Sequence, residues 1–141
     1  TLPGIWWSPD ASVFTYMLTQ TVAYKGEGSF YVAYQKSDSF QFLAWEIPDR
    51  HQDFSEASVV EVWVYGQVNM LLKLEDASGN QVEIGEEFAA SKDTWNRMRF
   101  HYADLGNQID LTQIRQLFFF PSPGDPGAAR AIYLDEISLS D

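Results

Sequence analysis

Residues 59–66 read VVEVWVYG, and this stretch decides the fold. Val60, Val62 and Val64 alternate with polar or large aromatic residues, a period of two that is typical of a β-strand with one buried face. Similar runs recur between clusters of turn residues, at the spacing expected for a sandwich or a barrel. The sequence predicts strands at Val13–Tyr24 (broken), Ser29–Gln35, Phe40–Ile47, Val59–Tyr65, Met70–Glu75, Gln81–Phe88, Trp95–Tyr102, Leu117–Phe120 and Ala131–Leu139, with one helical turn after Asp110.

The composition describes a domain that is held together by packing alone. Hydrophobic residues make up 45% and aromatic residues 16% of the 141 residues, and the absence of cysteine excludes disulfides, thiolate metal sites and thiol catalysts. The net charge of −11 repels nucleic acids and anionic membrane surfaces and favours a neutral partner. The length predicts a single domain over residues 1–141, and the lack of a signal-like segment indicates an excised or processed one.

Three consecutive phenylalanines lie in the segment QLFFFPSP, residues 116–123. In a strand, Phe119 faces one side and Phe118 and Phe120 face the other, because side chains alternate between faces. If Phe119 is buried between sheets, the other two rings form an exposed aromatic surface, which is a candidate binding site. The alternative is that the loop PSPGDPGA (121–128) or the N-terminal segment covers them.

Between residues 26 and 139 the chain resembles the non-catalytic carbohydrate-binding modules of β-jelly-roll fold, above all family 11, and the related intermediate-associated-protein-30 domains. The segments that carry the resemblance are GEGSFYVAY (26–34), FLAWEIPDRHQDFSEASVVEVWVYG (42–66), LLKLEDASGNQ (71–81), DTWNRMRFHYADL (93–105), IDLTQIRQLFFF (109–120) and AIYLDEISL (131–139). The resemblance implies an all-β fold, a two-sheet antiparallel β-sandwich of jelly-roll (galactose-binding-like) topology.

Strands of a jelly roll are distributed alternately between its two sheets. One predicted sheet holds Ser29–Gln35, Val59–Tyr65, Trp95–Tyr102 and Ala131–Leu139, and the other holds Phe40–Ile47, Met70–Glu75, Gln81–Phe88 and Leu117–Phe120. In the resembled modules the second sheet is concave and its outer face binds a glycan chain. The outward residues predicted there are Phe40, Phe42, Leu71, Lys73, Glu75, Gln81, Glu83, Gln116, Phe118 and Phe120.

These residue types suit a sugar, whose pyranose ring has apolar C–H faces edged by hydroxyl groups. Phe118 is predicted to form a stacking platform with Phe40 or Phe42, although Phe42 is equally well explained as edge packing. Trp6, in the predicted N-terminal loop GIWWSPD (4–10), is expected to add stacking, whereas Trp7 more often plugs such a sandwich. Phe118→Ala is then expected to weaken binding by about 1–3 kcal/mol with little change in melting temperature.

Two other groups of residues have competing interpretations. On the opposite sheet, cross-strand pairing and Arg–Trp stacking explain the second outward set better than a binding site does; its members are Glu61, Trp63, Arg97, Arg99 and His101. The resemblance also implies a structural calcium ion, for which only Asp135 matches a ligand because the early acidic pattern is missing. The stretch DASGN (76–80) indicates a hairpin turn rather than a calcium loop.

No arrangement in the sequence predicts catalysis. Glu83, Glu86 and Glu87 do not alternate onto one face as jelly-roll glucanases require, and neither His51 nor His101 has an evident nucleophile or metal partner. The resemblance implies a secreted module that binds polysaccharide, by preference single β-glucan chains, and is covalently linked to a glycoside hydrolase. The alternatives are a protein-interaction or assembly-factor domain of the same fold and, less favoured, a jelly-roll glycanase.

Overall fold

The computed structural model describes residues 2, 4–7, 14–19, 29–34, 43–66, 69–89, 94–121 and 130–141. Within these ranges the secondary structure is β-strand with two short 3-10 turns, at Asp49–His51 and Ala103–Leu105. The strands are β1 (Ile5–Trp7), β2 (Phe14–Thr19), β3 (Ser29–Tyr34), β4 (Leu43–Glu46), β5 (Val59–Tyr65), β6 (Asn69–Asp76), β7 (Gln81–Ala89), β8 (Trp95–His101), β9 (Ile114–Pro121) and β10 (Arg130–Ser140).

The strands form two five-stranded antiparallel sheets. Sheet A has the order β1-β4-β9-β6-β7, and sheet B has the order β2-β3-β10-β5-β8. The predicted division of eight strands between the sheets is confirmed, strand by strand. The prediction of a loop at GIWWSPD is wrong for residues 5–7, because β1 pairs with β4 and adds an edge strand to sheet A.

The main core lies between the two sheets and is built by the inward halves of the alternating strands. Val60, Val62 and Val64 of β5 are fully buried, as the opening pattern predicts. Phe119 of β9 meets Phe100 of β8 edge-on across the core, with ring centroids 6.4 Å apart. The inward assignment of Phe119 is therefore confirmed.

Asp76 closes the hairpin between β6 and β7 and ties it to a neighbouring turn. Its carboxylate accepts hydrogen bonds from the backbone N–H of Ser78 (3.0 Å), Asn80 (2.9 Å) and Asp110 (3.0 Å). Gly79 has a φ of +86°, a left-handed conformation that favours glycine. The prediction of a hairpin turn at DASGN is confirmed. In place of the helical turn predicted after Asp110, the structure has a hydrogen-bonded turn at residues 111–112, in which the Asp110 carboxylate accepts the Thr112 N–H at 3.0 Å. The 3-10 turns lie elsewhere in the described chain, as given above.

Candidate functional site

The outer face of sheet A, which faces away from the main core, carries the residues predicted to bind ligand. Leu72 and Leu74 of β6 are fully buried in the main core, so Leu71, Lys73 and Glu75 alternate onto the outer face. The register then builds rows across the sheet. One row joins Glu83, Lys73, Phe118 and Ala44, and the next joins Gln81, Glu75, Gln116 and Glu46.

The apolar part of this face is a compact outer cluster made of Ala44, Leu71, Phe118 and Phe120. Phe118 keeps only 6% and Phe120 only 8% of its surface exposed. The prediction that the Phe118 ring faces water is therefore wrong, whereas for Phe120 the alternative that the ring is covered agrees with its burial. Aromatic rings on adjacent outward positions pack with apolar residues of β4 and β6, because burying that area removes it from water.

Lys73 lies between the outer cluster and the polar row that contains Glu75. Its Nζ lies 5.8 Å from the centroid of the Phe120 ring, within the range of a cation–π contact. Its register partners are Phe118 on β9 and Glu83 on β7. The lysine is half-buried, which is typical of a long side chain with an aliphatic stem and a charged end.

The polar part of the face is organised around Glu75, in what we call the Glu75 network: Glu75, Gln81, Arg115 and Gln116. Gln81 donates its side-chain N–H to Oε2 of Glu75 at 2.5 Å, and Gln116 donates to Oε1 at 2.7 Å. Arg115 forms an ion pair with the same Oε1. Glu75 and Gln116 are buried, whereas Gln81 and Arg115 are exposed.

A β-bulge in β9 brings Arg115 into the network. Leu117 and Ile114 both face the main core, although three positions separate them. The register shifts at this point, so that Gln116 pairs with Glu75 and Ile114 pairs with Asp76. The extra residue is Arg115, which the bulge turns to the outer face beside Gln116.

The Glu75 network keeps its central carboxylate ionised. Burial alone raises the pKa of Glu75, since a charged group loses hydration. The hydrogen bonds from Gln81, Gln116 and Arg115, together with the charge of Arg115, outweigh burial and hold the pKa below its ordinary value. A carboxyl group in this state accepts hydrogen bonds and does not supply a proton at neutral pH.

The structure brings most of the predicted site residues together. Lys73, Glu75, Gln81, Glu83, Gln116, Phe118 and Phe120 share the outer face of sheet A, as predicted. Phe40 and Phe42 lie outside the described residues. The backbone register pairs Trp6 with Trp45, which packs against the main core, and Trp7 with Ala44 of the outer cluster. This register puts position 7, rather than position 6, on the outer face.

Sequence reasoning missed Arg115, because strict alternation places it on the inner face. One signal was present in the sequence: Ile114 and Leu117 are both apolar and both needed for the core, yet an odd number of positions separates them. An i, i+3 pair of core residues within one strand indicates a bulge.

Asp135, the residue matched to a calcium ligand, lies on sheet B and not near the Glu75 network. It pairs with Trp63, and its Oδ1 accepts the backbone N–H of Glu136 at 2.8 Å. Glu136 has a φ of +51° at the bulge in β10. Asp135 alone was matched to a ligand of the implied calcium ion, so calcium at this position stays a prediction. Within the described ranges, no group of three or more acidic, histidine or cysteine side chains could hold a metal ion.

The outer face of sheet B carries a set of paired charges and aromatic contacts. Glu61 and Arg99 form an ion pair at 2.8 Å, as the cross-strand explanation predicts, and Trp63 pairs with Arg97 in register. Nearby, Tyr65 contacts Trp95 and Tyr133, with ring centroids 5.6 and 6.0 Å away.

In the part of the chain that the structure describes, no helix is long and apolar enough to cross a membrane.

Solved structures with a similar fold come from carbohydrate-binding modules. The family 11 module of the cellulosomal cellulase Lic26A-Cel5E of Clostridium thermocellum superposes with a TM-score of 0.69 at 12% identity, covering 99% of this chain and 88% of that one. The chain has the jelly-roll β-sandwich fold of these modules. The family 22 module of Clostridium thermocellum Xyn10B gives a TM-score of 0.60 at 17% identity, covering 96% of this chain and 85% of that one.

Two further comparisons extend this picture. The non-crystalline cellulose specific module CBM28 gives a TM-score of 0.67 at 13% identity, with 96% of this chain and 87% of that chain covered. An exo-β-agarase gives a TM-score of 0.73 at 12% identity, with 99% of this chain but only 23% of the agarase covered. No protein-family model and no curated protein sequence matches the chain.

Proposed function

We propose that this protein is a non-catalytic carbohydrate-binding module that binds a polysaccharide chain on the outer face of sheet A. The observation that carries the proposal is the Glu75 network, in which a buried, ionised carboxylate holds exposed amide and guanidinium groups beside an apolar cluster. Sugar hydroxyls both donate and accept hydrogen bonds, so a face of this mixed character suits them.

Because the outer cluster is buried, its rings contribute little to direct contact with a ligand. Phe118 and Phe120 have little ring surface left to offer a pyranose. Among the described residues, the exposed groups on this face are polar, namely Glu46, Gln81, Glu83 and Arg115, and Lys73 is half-buried. We therefore propose that hydrogen bonds from these side chains carry most of the specificity, and that Phe118 supports the sheet beneath them.

The state of Glu75 favours binding over cleavage. A glycosidase needs a carboxylic acid of raised pKa to protonate the leaving group. The pKa of Glu75 is lowered, and its two oxygens are already occupied by three side-chain donors. This residue is therefore suited to fixing its neighbours and not to general acid catalysis.

The ligand class and the setting are part of the same proposal. We favour single β-glucan chains over crystalline surfaces, because a flat crystal face would require several coplanar exposed rings. Similar structures include a module specific for non-crystalline cellulose and a xylan-binding domain, which is consistent with single β-linked chains. We further propose a secreted module linked to a glycoside hydrolase; the agarase, in which this fold occupies a minor part of a longer enzyme, supports that arrangement.

Affinity electrophoresis and isothermal titration against soluble mixed-linkage β-glucan, xyloglucan and xylan test the proposal. We expect the wild type to bind at least one of the three glycans and to bind mixed-linkage β-glucan most tightly. Arg115→Ala is expected to weaken binding at least several-fold, whereas Arg97→Ala, an exposed arginine on sheet B, leaves it unchanged. Absence of binding to all three glycans, or equal loss in the two arginine variants, contradicts the proposal.

A further inference from the structure

Glu75 is a buried charge on a sheet face that does not belong to the main core. Its side chain keeps only 7% of its surface exposed, and its donors come from two neighbouring strands, β7 and β9. Taking a carboxylate out of water is costly, and an apolar residue of similar volume usually stabilises a fold as well or better. The fold alone gives no reason for an ionised group at this position.

The ionised carboxylate fixes the orientation of the side chains around it. It has only acceptor atoms, so the Gln81 amide must turn its NH2 group toward Oε2, and this leaves the amide oxygen of Gln81 directed away from the carboxylate. Arg115 is nearly half exposed and uses one terminal nitrogen on Oε1, which leaves further N–H donors on its guanidinium. One carboxylate thus sets an acceptor on the β7 side and donors on the β9 side.

Gln116 makes this arrangement stiffer. Its buried amide donates to Oε1 at 2.7 Å, so the carboxylate is held from both of its neighbouring strands. Side chains that are ordered before a ligand arrives lose less conformational entropy on binding. The exposed ends of Gln81 and Arg115 are therefore positioned in advance by groups that lie beneath the surface.

We propose that Glu75 is a positioning residue that presents Gln81 and Arg115, as an acceptor and a donor, to two adjacent unsubstituted hydroxyl groups of one sugar ring. This inference rests on the proposed carbohydrate-binding function and specifies the chemical group recognised. One hydroxyl donates to the Gln81 amide oxygen, and its neighbour accepts from the Arg115 guanidinium. The ligand is then a glycan with a free vicinal diol, and substitution of those hydroxyls abolishes the match.

The first test is a double-mutant cycle measured by isothermal titration with soluble mixed-linkage β-glucan. Glu75→Gln keeps the shape of the side chain but replaces one acceptor with a donor, and we expect it to weaken binding about tenfold. Gln81→Ala is expected to weaken binding similarly, and the double variant no further, because both changes remove the same arrangement. A purely structural role for Glu75 predicts a lower melting temperature with unchanged affinity, or losses that simply add.

The second test needs no Glu75 variant and so does not depend on that variant folding. We compare wild-type binding of mixed-linkage β-glucan with binding of the same polymer after O-methylation, which blocks its hydroxyl groups. Loss of binding on methylation supports the inference, and equal binding of both polymers overturns it. Wild-type protein that binds no glucan overturns the proposed function as well, whereas intact binding in Glu75→Gln overturns this inference alone.

Discussion

Replacing Phe118 by alanine tests whether the outer cluster is a second piece of core or a ligand platform. Phe118 keeps only 6% of its surface exposed and packs in one cluster with Ala44, Leu71 and Phe120. Truncating a buried phenylalanine typically costs about 3–5 kcal/mol in free energy of unfolding. The cluster is small and borders Lys73, whose flexible side chain can move into the space, so we expect a value near the lower end, about 3 kcal/mol.

The assay is thermal and urea denaturation of wild type, Phe118→Ala and the exposed control His101→Ala. For a chain of 141 residues, about 3 kcal/mol corresponds to a fall of roughly 10 °C in melting temperature. His101→Ala should remain within about 0.5 kcal/mol of wild type. A melting temperature for Phe118→Ala within about 2 °C of wild type would contradict the burial of the ring in the outer cluster and indicate that it is exposed in solution.

Three other predictions follow from single contacts. A Cβ at Gly4 would overlap the Trp45 ring and lie 2.7 Å from the backbone oxygen of residue 46, so Gly4→Ala should lower the free energy of unfolding by about 1–3 kcal/mol in urea titration; no loss contradicts the packing of β1. Tyr102→Phe leaves the buried carbonyl of Phe54 without its 2.7 Å donor and should cost about 1–3 kcal/mol by thermal melting, whereas an unchanged melting temperature contradicts that bond. The pKa of Asp76 is lowered because its four hydrogen bonds outweigh burial. The stabilisation that Asp76 contributes is therefore complete above the unfolded pKa of about 3.8 and is lost as pH falls through the lower folded pKa. Asp76→Asn should flatten the fall in the free energy of unfolding between about pH 5 and pH 2, and equal slopes in the variant and the wild type contradict this.

Much of the fold follows from alternation in the sequence, because a period of two assigns each residue of a strand to one face. The valines of β5 and the inward position of Phe119 are examples in which the apolar pattern and the buried core agree. Residues 5–7 were missed because a three-residue strand has too few positions to show a period. Its existence depends on pairing with β4, which is a tertiary contact.

The candidate site was predictable by face but not by exposure. Alternation places Lys73, Glu75 and Phe118 outward, and the register confirms that they share one face. Whether an outward residue is exposed to solvent depends on neighbours that are distant in sequence, such as Leu71 beside Phe120. Arg115 depends on a bulge, which reverses the alternation that the prediction relied on.

The polar end of the outer face of sheet A is the proposed glycan-binding surface. The most direct measurement is a titration of isotopically labelled protein with soluble mixed-linkage β-glucan, followed by the side-chain amide signals of Gln81 and Gln116 in NMR spectra. We expect saturable shifts of these signals, lost in Arg115→Ala, with no shift of the Trp95 indole signal on sheet B. Shifts confined to sheet B, or none in the Glu75 network while the glucan binds, would contradict it.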